Sequence, residues 1–167
     1  MTANLVRTGS LLGATLTMGL MAGTFGLYAH TVMPGLKRTD DQTFVSAFQS
    51  LDRAIVNPIF IGGMFLGALV LTAAATLTNR GEPAARWIAA ALAAYVVAMV
   101  VTGVVHVPAN DAIKAAGDTA RLGDAATVRA QFNEARWAAW NLVRVVTSSL
   151  AFVSLAWALV LHGRSTV

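Results

Sequence analysis

The stretch RWAAWNLVR, from Arg136 to Arg144, stands at the head of the last apolar run of the chain, and that run continues to His162. Crossing the hydrocarbon core of a bilayer takes about 20 apolar residues in a helix, so the run predicts a membrane-spanning helix. Simple anchoring at a membrane surface does not require an arginine, an asparagine and two indoles side by side. We therefore expect the other membrane segments to bring their polar side chains towards this stretch.

The composition indicates the same class of protein. Of the 167 residues, 56% are hydrophobic and 12% are charged, whereas soluble domains carry roughly 25% charged residues. The mean hydropathy is +0.64. The chain is basic because it has only 8 Asp and Glu, and it has no Lys/Arg run of the kind that binds nucleic acid. We expect an integral membrane protein that contacts the lipid bilayer and no nucleic acid. Cysteine is absent, which excludes disulfides and thiolate nucleophiles.

Four segments are long and apolar enough to span a membrane, at about residues 8–30, 57–78, 85–107 and 138–162. A segment in lipid has to satisfy its own backbone groups, so each segment is predicted to be a helix. Two hydrophilic loops lie on one side of the membrane, and a short turn and both termini lie on the other. The sequence predicts an all-α fold: one membrane domain, residues 1–167, that forms an integral membrane four-helix bundle.

The first helix carries a seam of small residues. Gly9 and Gly13 are four residues apart, and Gly19, Gly23 and Gly26 follow at spacings of four and three. Such spacing lets helix backbones approach closely. The seam would also fit a homodimer through helix one. Continuing it by four residues reaches His30, which is therefore expected to face the packed seam.

The two long loops are predicted to be helical and to lie on the same face. In the first, Phe44, Phe48, Leu51 and Ile55 form an amphipathic stripe, so we expect an interfacial helix over residues 41–55 with Gln49, Asp52 and Arg53 on its polar side. In the second, residues 111–122 resemble a short helix. The prolines at Pro34 and Pro108 are expected to end the first and third membrane helices. From Asp124 onwards no stop signal occurs before His162, so a single long helix is expected there.

The polar residues of the membrane segments gather at one end of the bundle. The residues concerned are His30, Asn57, Tyr95, His106, Asn110, Asp111, Trp137, Trp140, Asn141 and Arg144. The opposite half has few polar residues that would face inwards. This asymmetry predicts a pocket that opens to one side, because a channel would need a polar lining throughout.

Each of these residues also has a structural interpretation. Asn57 could cap its helix, the tryptophans could belong to an interfacial belt, and Arg144 could extend to the headgroups. If Arg144 faces inwards it needs a partner, and we expect Asp111 first and Asp52 second. His30 and His106 could serve as axial haem ligands, but no further ligand pattern accompanies them and no metal site is predicted.

Four short motifs resemble the anthrone oxygenase-like family of small four-helix membrane proteins. They are Met33-Pro34-Gly35-Leu36, Asn57-Pro58, Val107-Pro108-Ala109-Asn110-Asp111 and Trp137-Ala138-Ala139-Trp140-Asn141-Leu142-Val143-Arg144. Each motif follows or opens a predicted membrane helix. Because the motifs are spread from the first helix to the fourth, the resemblance extends over most of the chain. The resemblance implies an oxygenase that converts tricyclic polyketide anthrones to anthraquinones with molecular oxygen as co-substrate and no organic cofactor.

The residues in hand can be assigned roles in such a reaction. An anthrone is planar and apolar, and it becomes reactive towards oxygen when its central methylene is deprotonated. We expect His106 to act as the base, with Asp111 as the alternative, and Arg144 and Asn141 to hold the oxyanion. Trp137 or Trp140 would stack on the rings.

The remaining polar residues, Asn110, Asn57, His30 and Tyr95, are expected to line the site. Two other readings remain: a non-catalytic carrier or accessory protein with the same pocket, and a haem or metal redox protein. We expect the protein in the plasma membrane of a bacterium. The long loops carry seven Lys/Arg and the turn and termini carry four, and this count favours the loops in the cytoplasm. Because Arg7 and the turn arginines Arg80 and Arg86 directly flank their helices, we nevertheless expect both termini in the cytoplasm.

Overall fold

The computed structural model describes residues 2–117 and 124–165. Within these ranges the chain is helical and contains no strand. The α-helices are α1 (Thr2–Leu27), α2 (Met33–Leu36), α3 (Asp41–Ile55), α4 (Gly67–Thr78), α5 (Ala85–Val101), α6 (Val107–Ala115), α7 (Ala125–Phe132) and α8 (Glu134–Ser165). Three π-helical segments lie between them, at Tyr28–Val32, Ile59–Leu66 and Thr102–His106.

Four helical stretches of the described chain are long and apolar enough to cross a membrane. They are Asn4–Leu36, Ile59–Thr78, Ala85–Ala115 and Ala125–Arg164. The predicted all-α, four-helix integral membrane protein is therefore confirmed. Helix α8 packs against both α1 and α5, and α4 packs against α1 and α5.

The buried face of α8 follows the spacing that the sequence predicts. Trp137, Asn141, Arg144, Ser148 and Leu155 are all buried. The first part of this face is polar or aromatic, and the part from Ala151 to Ala158 is apolar. One end of the bundle thus has an apolar core around α8, and the other end has the polar groups from which a site can be built.

The prolines do not end the membrane helices, and this expectation was wrong. The first helix continues through Pro34 to Leu36, and the third continues through Pro108 to Ala115. A proline inside a helix lacks the N–H donor and crowds the preceding turn. At both places a π-helical segment comes directly before the turn that contains the proline. The wider π turn rearranges the backbone hydrogen bonds and lets the helix continue.

The interfacial helix α3 exists, but its buried face is rotated by about one residue from the predicted stripe. Leu51 is 39% exposed, whereas Gln49 and Asp52 are buried. The side-chain amide of Gln49 donates to the backbone oxygens of Ile113 and Gly117, at 2.7 and 3.0 Å. These carbonyls lie at the end of α6 and have no partner within that helix. Partners on α6 therefore turn the polar side of α3 inwards.

The expected single long helix after Asp124 is broken at Asn133. Helix α7 ends at Phe132, and Asn133 adopts a left-handed conformation with φ of 53°. Asparagine tolerates this conformation better than most residues, and its Oδ1 accepts from the backbone N–H of Arg136 at 3.1 Å. The break folds α7 back over α3. The predicted helix at 111–122 is present as far as Ala115, and residues 118–122 lie outside the described part of the chain.

The glycine seam of helix one is used partly inside the molecule. A side chain at Gly13 would contact Leu71 of α4, and one at Gly19 would overlap Phe152 of α8. These two positions therefore allow α1 to approach its neighbours closely. A homodimer through helix one stays a prediction.

The sequence suggested few inward-facing polar groups at the end of the bundle opposite the polar site, but the structure places several polar side chains there. Arg7 forms an ion pair with Glu82 at 2.6 Å and donates to the backbone oxygen of Thr78 at 2.8 Å. Thr8 lies 2.9 Å from the Nε2 atom of His162. These groups bond with one another or with helix-end carbonyls, so they join the helices together at this face.

Candidate functional site

A cavity of about 370 Å³ lies where the three π-helical segments face one another. Its wall is largely apolar and aromatic, with a few polar groups at the two ends. The lining residues are Thr24, Phe25, Tyr28, Phe48, Asp52, Ile55, Val56, Phe60, Ile61, Phe65, Thr102, His106, Val107, Asn110, Asp111, Lys114, Trp137 and Arg144. The volume falls within the range of about 300–1,000 Å³ that is typical of small-molecule pockets.

The guanidinium of Arg144 is buried at one side of this cavity, with only 6% of the residue exposed. Its carbon lies 4.4 Å from the ring centre of Phe25 and 5.4 Å from that of Trp137. It donates to Asn141 Oδ1 at 2.7 Å and, at 3.4 Å, to the hydroxyl of Thr102. The Nε atom is buried and has no hydrogen-bond partner among the described residues.

The predicted partners of Arg144 are engaged elsewhere. Within the described ranges no carboxylate lies at ion-pair distance from its guanidinium. Asp111 and Asp52 both bind Lys114, at 3.1 and 2.8 Å. A buried charge without a counter-charge is strongly disfavoured, so Arg144 fits an anion bound in the cavity.

Asn141 orients Arg144 and does not line the cavity. Its Nδ2 donates to the backbone oxygen of Phe25 at 3.1 Å, and its Oδ1 accepts from Arg144. The residue is fully buried. Because the side-chain amide is bonded on both sides, Asn141 holds the guanidinium in place and has no contact with the cavity.

A second set of lining residues forms a chain of hydrogen bonds that leads from α8 to α3. The indole Nε1 of Trp137 donates to Asn110 Oδ1 at 2.9 Å, and Asn110 Nδ2 donates to Asp52 Oδ1 at 2.6 Å. Lys114 completes the cluster, with its Nζ between Asp52 and Asp111. Three elements distant in sequence thus place a carboxylate on the cavity wall.

His106 packs edge-on against Trp137, with ring centres 4.8 Å apart. Its Nδ1 lies 3.3 Å from the backbone oxygen of Val101, and its Nε2 lies 3.3 Å from the backbone oxygen of Trp137. A neutral imidazole can donate from only one nitrogen. Both ring nitrogens face protein carbonyls, so the imidazole tethers the third π-helical segment to α8.

Besides Asn141, four of the predicted residues do not line the cavity. His30 is exposed and bonds to Thr31, so the expectation that it faces the packed seam was wrong. Asn57 is exposed and caps the second membrane helix, since its Oδ1 accepts from the backbone N–H of Phe60 at 3.0 Å. Trp140 is 40% exposed, as a belt residue would be. Tyr95 is fully buried, and its hydroxyl donates to the backbone oxygen of Phe65.

The two histidines of the haem interpretation therefore occupy different environments. His30 is exposed, whereas His106 is buried on the cavity wall. Among the described residues no group of three His, Asp or Glu is placed to hold a metal ion.

Sequence reasoning assigned Asp52 to a solvent-facing side and missed four polar residues of the cavity, Thr24, Tyr28, Thr102 and Lys114. Tyr28 lies 5.9 Å from Trp137 between ring centres, and its hydroxyl has no hydrogen-bond partner in the described part of the chain. The usable signal was its place near the end of the first membrane helix, close to the level of the other polar groups. For Lys114, the signal was its spacing of three residues from Asp111.

Fold and site together define a class: a four-helix membrane protein with a one-sided aromatic cavity, a buried unpaired arginine and a buried carboxylate. A model of the anthrone oxygenase family matches residues 54–154, well over half of the chain. The chain belongs to this family. The match includes Asn57-Pro58, Val107–Asp111 and Trp137–Arg144, and Met33–Leu36 precedes it. Comparisons with curated proteins and with solved structures gave no match.

Proposed function

We propose that this protein is a membrane-embedded oxygenase that oxidises a planar, apolar aromatic substrate of the anthrone type. The reaction replaces the central methylene of the substrate with a carbonyl and reduces molecular oxygen to water, without an organic cofactor. The family assignment supports an oxygenase-like protein, and the cavity supports the kind of substrate.

The observation that carries the proposal is the unpaired guanidinium of Arg144 beside an apolar cavity. Deprotonation of an anthrone places negative charge on its carbonyl oxygen. Fixed donors in a dry site stabilise such an oxyanion far more than water does. Arg144 is held by Asn141 and by two aromatic rings before any ligand arrives, so it needs little reorganisation. The free hydroxyl of Tyr28 offers a second donor on the same wall.

The walls suit a flat aromatic ring system. Phe25, Phe60, Phe65 and Trp137 line the space between its polar ends. Aromatic rings bury large areas and favour offset or edge-on contacts with another ring. An apolar tricyclic compound also partitions into the bilayer, so a pocket within a membrane protein is open to it.

The cavity faces the side of the membrane that carries α3 and α7. We propose that both termini lie in the cytoplasm of a bacterial cell, because Arg7, Arg80 and Arg86 flank the opposite ends of the helices. The site would then open towards the outer surface of the plasma membrane.

A carrier of the same aromatic anions is the second candidate, because the cavity and Arg144 would suffice for binding alone. The two functions differ in oxygen consumption. Purified protein in lipid nanodiscs is mixed with 1,8-dihydroxyanthrone, and dissolved oxygen and anthraquinone are measured together. An oxygenase consumes one oxygen molecule per quinone formed, whereas a carrier adds nothing to the spontaneous rate.

The decisive variant is Arg144→Met, which keeps the length of the side chain and removes the charge. Loss of one oxyanion donor lowers turnover by about 100-fold or more, and we expect a loss of this size in a folded variant. Turnover at the wild-type rate would contradict the proposal.

A further inference from the structure

We propose that Asp52 is the base of this site: its carboxylate takes the proton from the substrate carbon that oxygen then attacks. The inference rests on the proposed function and goes beyond it, because the sequence motifs name His106 and Asp111 instead. It follows from where Asp52 lies, how it is held and which other charged group lines the same cavity.

Asp52 is a buried carboxylate on the cavity wall, with 8% of its side chain exposed. Burying a carboxylate is expensive unless it is paired and hydrogen-bonded. The protein meets this cost with Lys114 at 2.8 Å and Asn110 at 2.6 Å. Apolar side chains of similar size would stabilise α3 as well without any of these partners. The buried charge is therefore better explained by chemistry than by packing.

The orientation of this carboxylate is determined by its neighbours. An indole N–H can only donate, so the oxygen of the Asn110 side chain must face Trp137. Its NH₂ group must then face Asp52, whose Oδ1 accepts. Asn110 is thus a positioning residue, which explains its place in the Val107–Asp111 motif.

Asp52 and Arg144 line the same cavity without forming an ion pair. In an anthrone, the carbonyl and the reactive methylene lie at opposite edges of the central ring. The donor that holds the oxyanion and the base that takes the proton must therefore face each other with the ring between them. An aspartate base opposite an oxyanion site is an established arrangement for proton abstraction next to a carbonyl.

The two earlier candidates fit this role less well. Both ring nitrogens of His106 point at backbone oxygens 3.3 Å away, so neither nitrogen faces a ligand in the cavity. The Asp111 side chain is 64% exposed, and a water-exposed carboxylate is a weak base for an apolar substrate. Among the described acids that line the cavity, Asp52 alone is buried.

The reaction balances with one carboxylate that acts twice. Asp52 takes a methylene proton, and the two electrons of that C–H bond form the bond from carbon to dioxygen, which is reduced to a peroxide. The peroxide takes the proton back from Asp52. The carboxylate then removes the remaining hydrogen of that carbon as a proton, the O–O bond breaks, and hydroxide leaves as the ketone forms. Protonation of hydroxide by Asp52 gives water and restores the carboxylate.

A proton held by Asp52 can also exchange with solvent. Lys114 Nζ lies 2.8 Å from Asp52 and 3.1 Å from Asp111, and the exposed fractions of these side chains rise from 8% to 28% to 64%. The order Asp52, Lys114, Asp111 leads from the cavity to water. Proton abstraction should therefore be visible without oxygen, as exchange of the substrate methylene with deuterium.

The test is anaerobic deuterium exchange at the methylene of 1,8-dihydroxyanthrone in D₂O, followed by mass spectrometry with the intact protein in nanodiscs. Wild-type protein should accelerate exchange over the protein-free rate. Asp52→Asn should lower this acceleration by about 100-fold, the usual contribution of a general base. Binding of 1,8-dihydroxyanthraquinone, read from quenching of tryptophan fluorescence, should change less than about threefold. The matched control is Glu82→Gln, which makes the same change of acid to amide in the ion pair with Arg7 and should leave exchange unchanged.

Exchange at the wild-type rate in Asp52→Asn would overturn the inference, and so would joint loss of exchange and anthraquinone binding, since that result indicates a structural role. If the Asn variant does not fold, Asp52→Glu decides. It keeps the charge beside Lys114 and displaces the carboxylate by one methylene. Displacement of the base should lower the enzyme-dependent exchange rate by about tenfold or more. If the ion pair with Lys114 has only a structural role, exchange should stay at the wild-type rate.

The same measurements separate the two proposals. Enzyme-dependent exchange without any consumption of oxygen would refute the oxygenase function and leave Asp52 as a base. If the protein consumes oxygen but Asp52→Asn exchanges at the wild-type rate, only the role of Asp52 is refuted.

Discussion

Arg129 and Arg144 each lie close to the centre of a phenylalanine ring, at 4.3 and 4.4 Å, but their charges are compensated in opposite ways. Arg129 on α7 stacks over Phe44 at 4.3 Å and binds Asp41 and Glu134 at 3.0 and 3.2 Å. Its guanidinium also donates to the backbone oxygens of Thr39 and Lys37. Its charge is therefore neutralised by carboxylates and its donors are satisfied by the chain itself.

Arg144 has the same kind of aromatic contact and is more deeply buried, yet it has no carboxylate within the described ranges. Phe25 takes the place that Phe44 has at Arg129, and Asn141 supplies a neutral acceptor. The comparison shows that Arg129 serves the fold by fixing α7 over α3. At Arg144, we propose, the missing negative charge is supplied by a bound ligand.

The difference between the two arginines should disappear if Arg144 is given a carboxylate partner of its own. Thr102 lies 3.4 Å from its Nη1 atom, so Thr102→Asp would place an acid beside the guanidinium. A close pair of charges is worth several kcal/mol in a buried site. We expect affinity for an anionic planar aromatic compound to fall about 100-fold, measured by fluorescence quenching. The variant Thr102→Asn has the same shape without the charge, so its affinity for the anion should fall clearly less. An equal fall in affinity in the two variants would argue against an anion site.

The converse experiment removes Arg129, whose charge is neutralised within the protein. Arg129→Met deletes two ion pairs and two hydrogen bonds to backbone oxygens. We expect a loss of about 1–3 kcal/mol in unfolding free energy, because hydrogen bonds to charged groups contribute at this level. The folded fraction should keep normal turnover. Chemical denaturation in mild detergent measures the first quantity and oxygen uptake the second, and a specific loss of turnover would place Arg129 in the site.

We expect pH to have a smaller effect on stability, through the helices α3 and α7 that Arg129 joins. Asp40 and Asp124 are the N-caps of α3 and α7, and each accepts from the backbone N–H and hydroxyl of the threonine three residues on. These hydrogen bonds lower the pKa of both carboxyls below the usual value. The fold favours the charged form, so the stabilisation is complete above about pH 4, the unfolded value, and is lost as the pH falls further.

The double variant Asp40→Asn and Asp124→Asn tests this because asparagine also caps helices but does not titrate. We expect the drop in melting temperature between pH 5 and pH 3 to be smaller in the variant than in the wild type. An equal drop in both proteins would assign the acid sensitivity to other carboxyls.

The fold could be predicted from the sequence because membrane helices are specified locally. Each has to be long, apolar and self-bonded, and the buried face of α8 follows from the spacing of Trp137, Asn141, Arg144 and Ser148. The π-helical segments could not be predicted from that pattern. They accommodate Pro34 and Pro108 within continuing helices, and hydropathy contains no information on backbone hydrogen bonding.

The site was predicted less completely because half of it depends on contacts between distant residues. Asp52 faces the cavity because it bonds with Asn110, which is 58 positions away. A rotation of α3 by one residue separates this arrangement from the one in which Asp52 faces water. Arg144 was expected to pair with Asp111, but Lys114 occupies both nearby carboxylates. The sequence names these residues, but their pairing is a property of the folded chain.

The account depends most on Arg144 being the receptor for a negative charge on a flat aromatic ligand. The most direct measurement compares the dissociation constants of anthracene-9-carboxylate and its neutral amide in wild-type protein and in Arg144→Met. The account predicts that the wild type prefers the anion by about tenfold or more, equivalent to at least about 1.4 kcal/mol, and that the variant shows no preference. An equal preference for the anion in both proteins would contradict it.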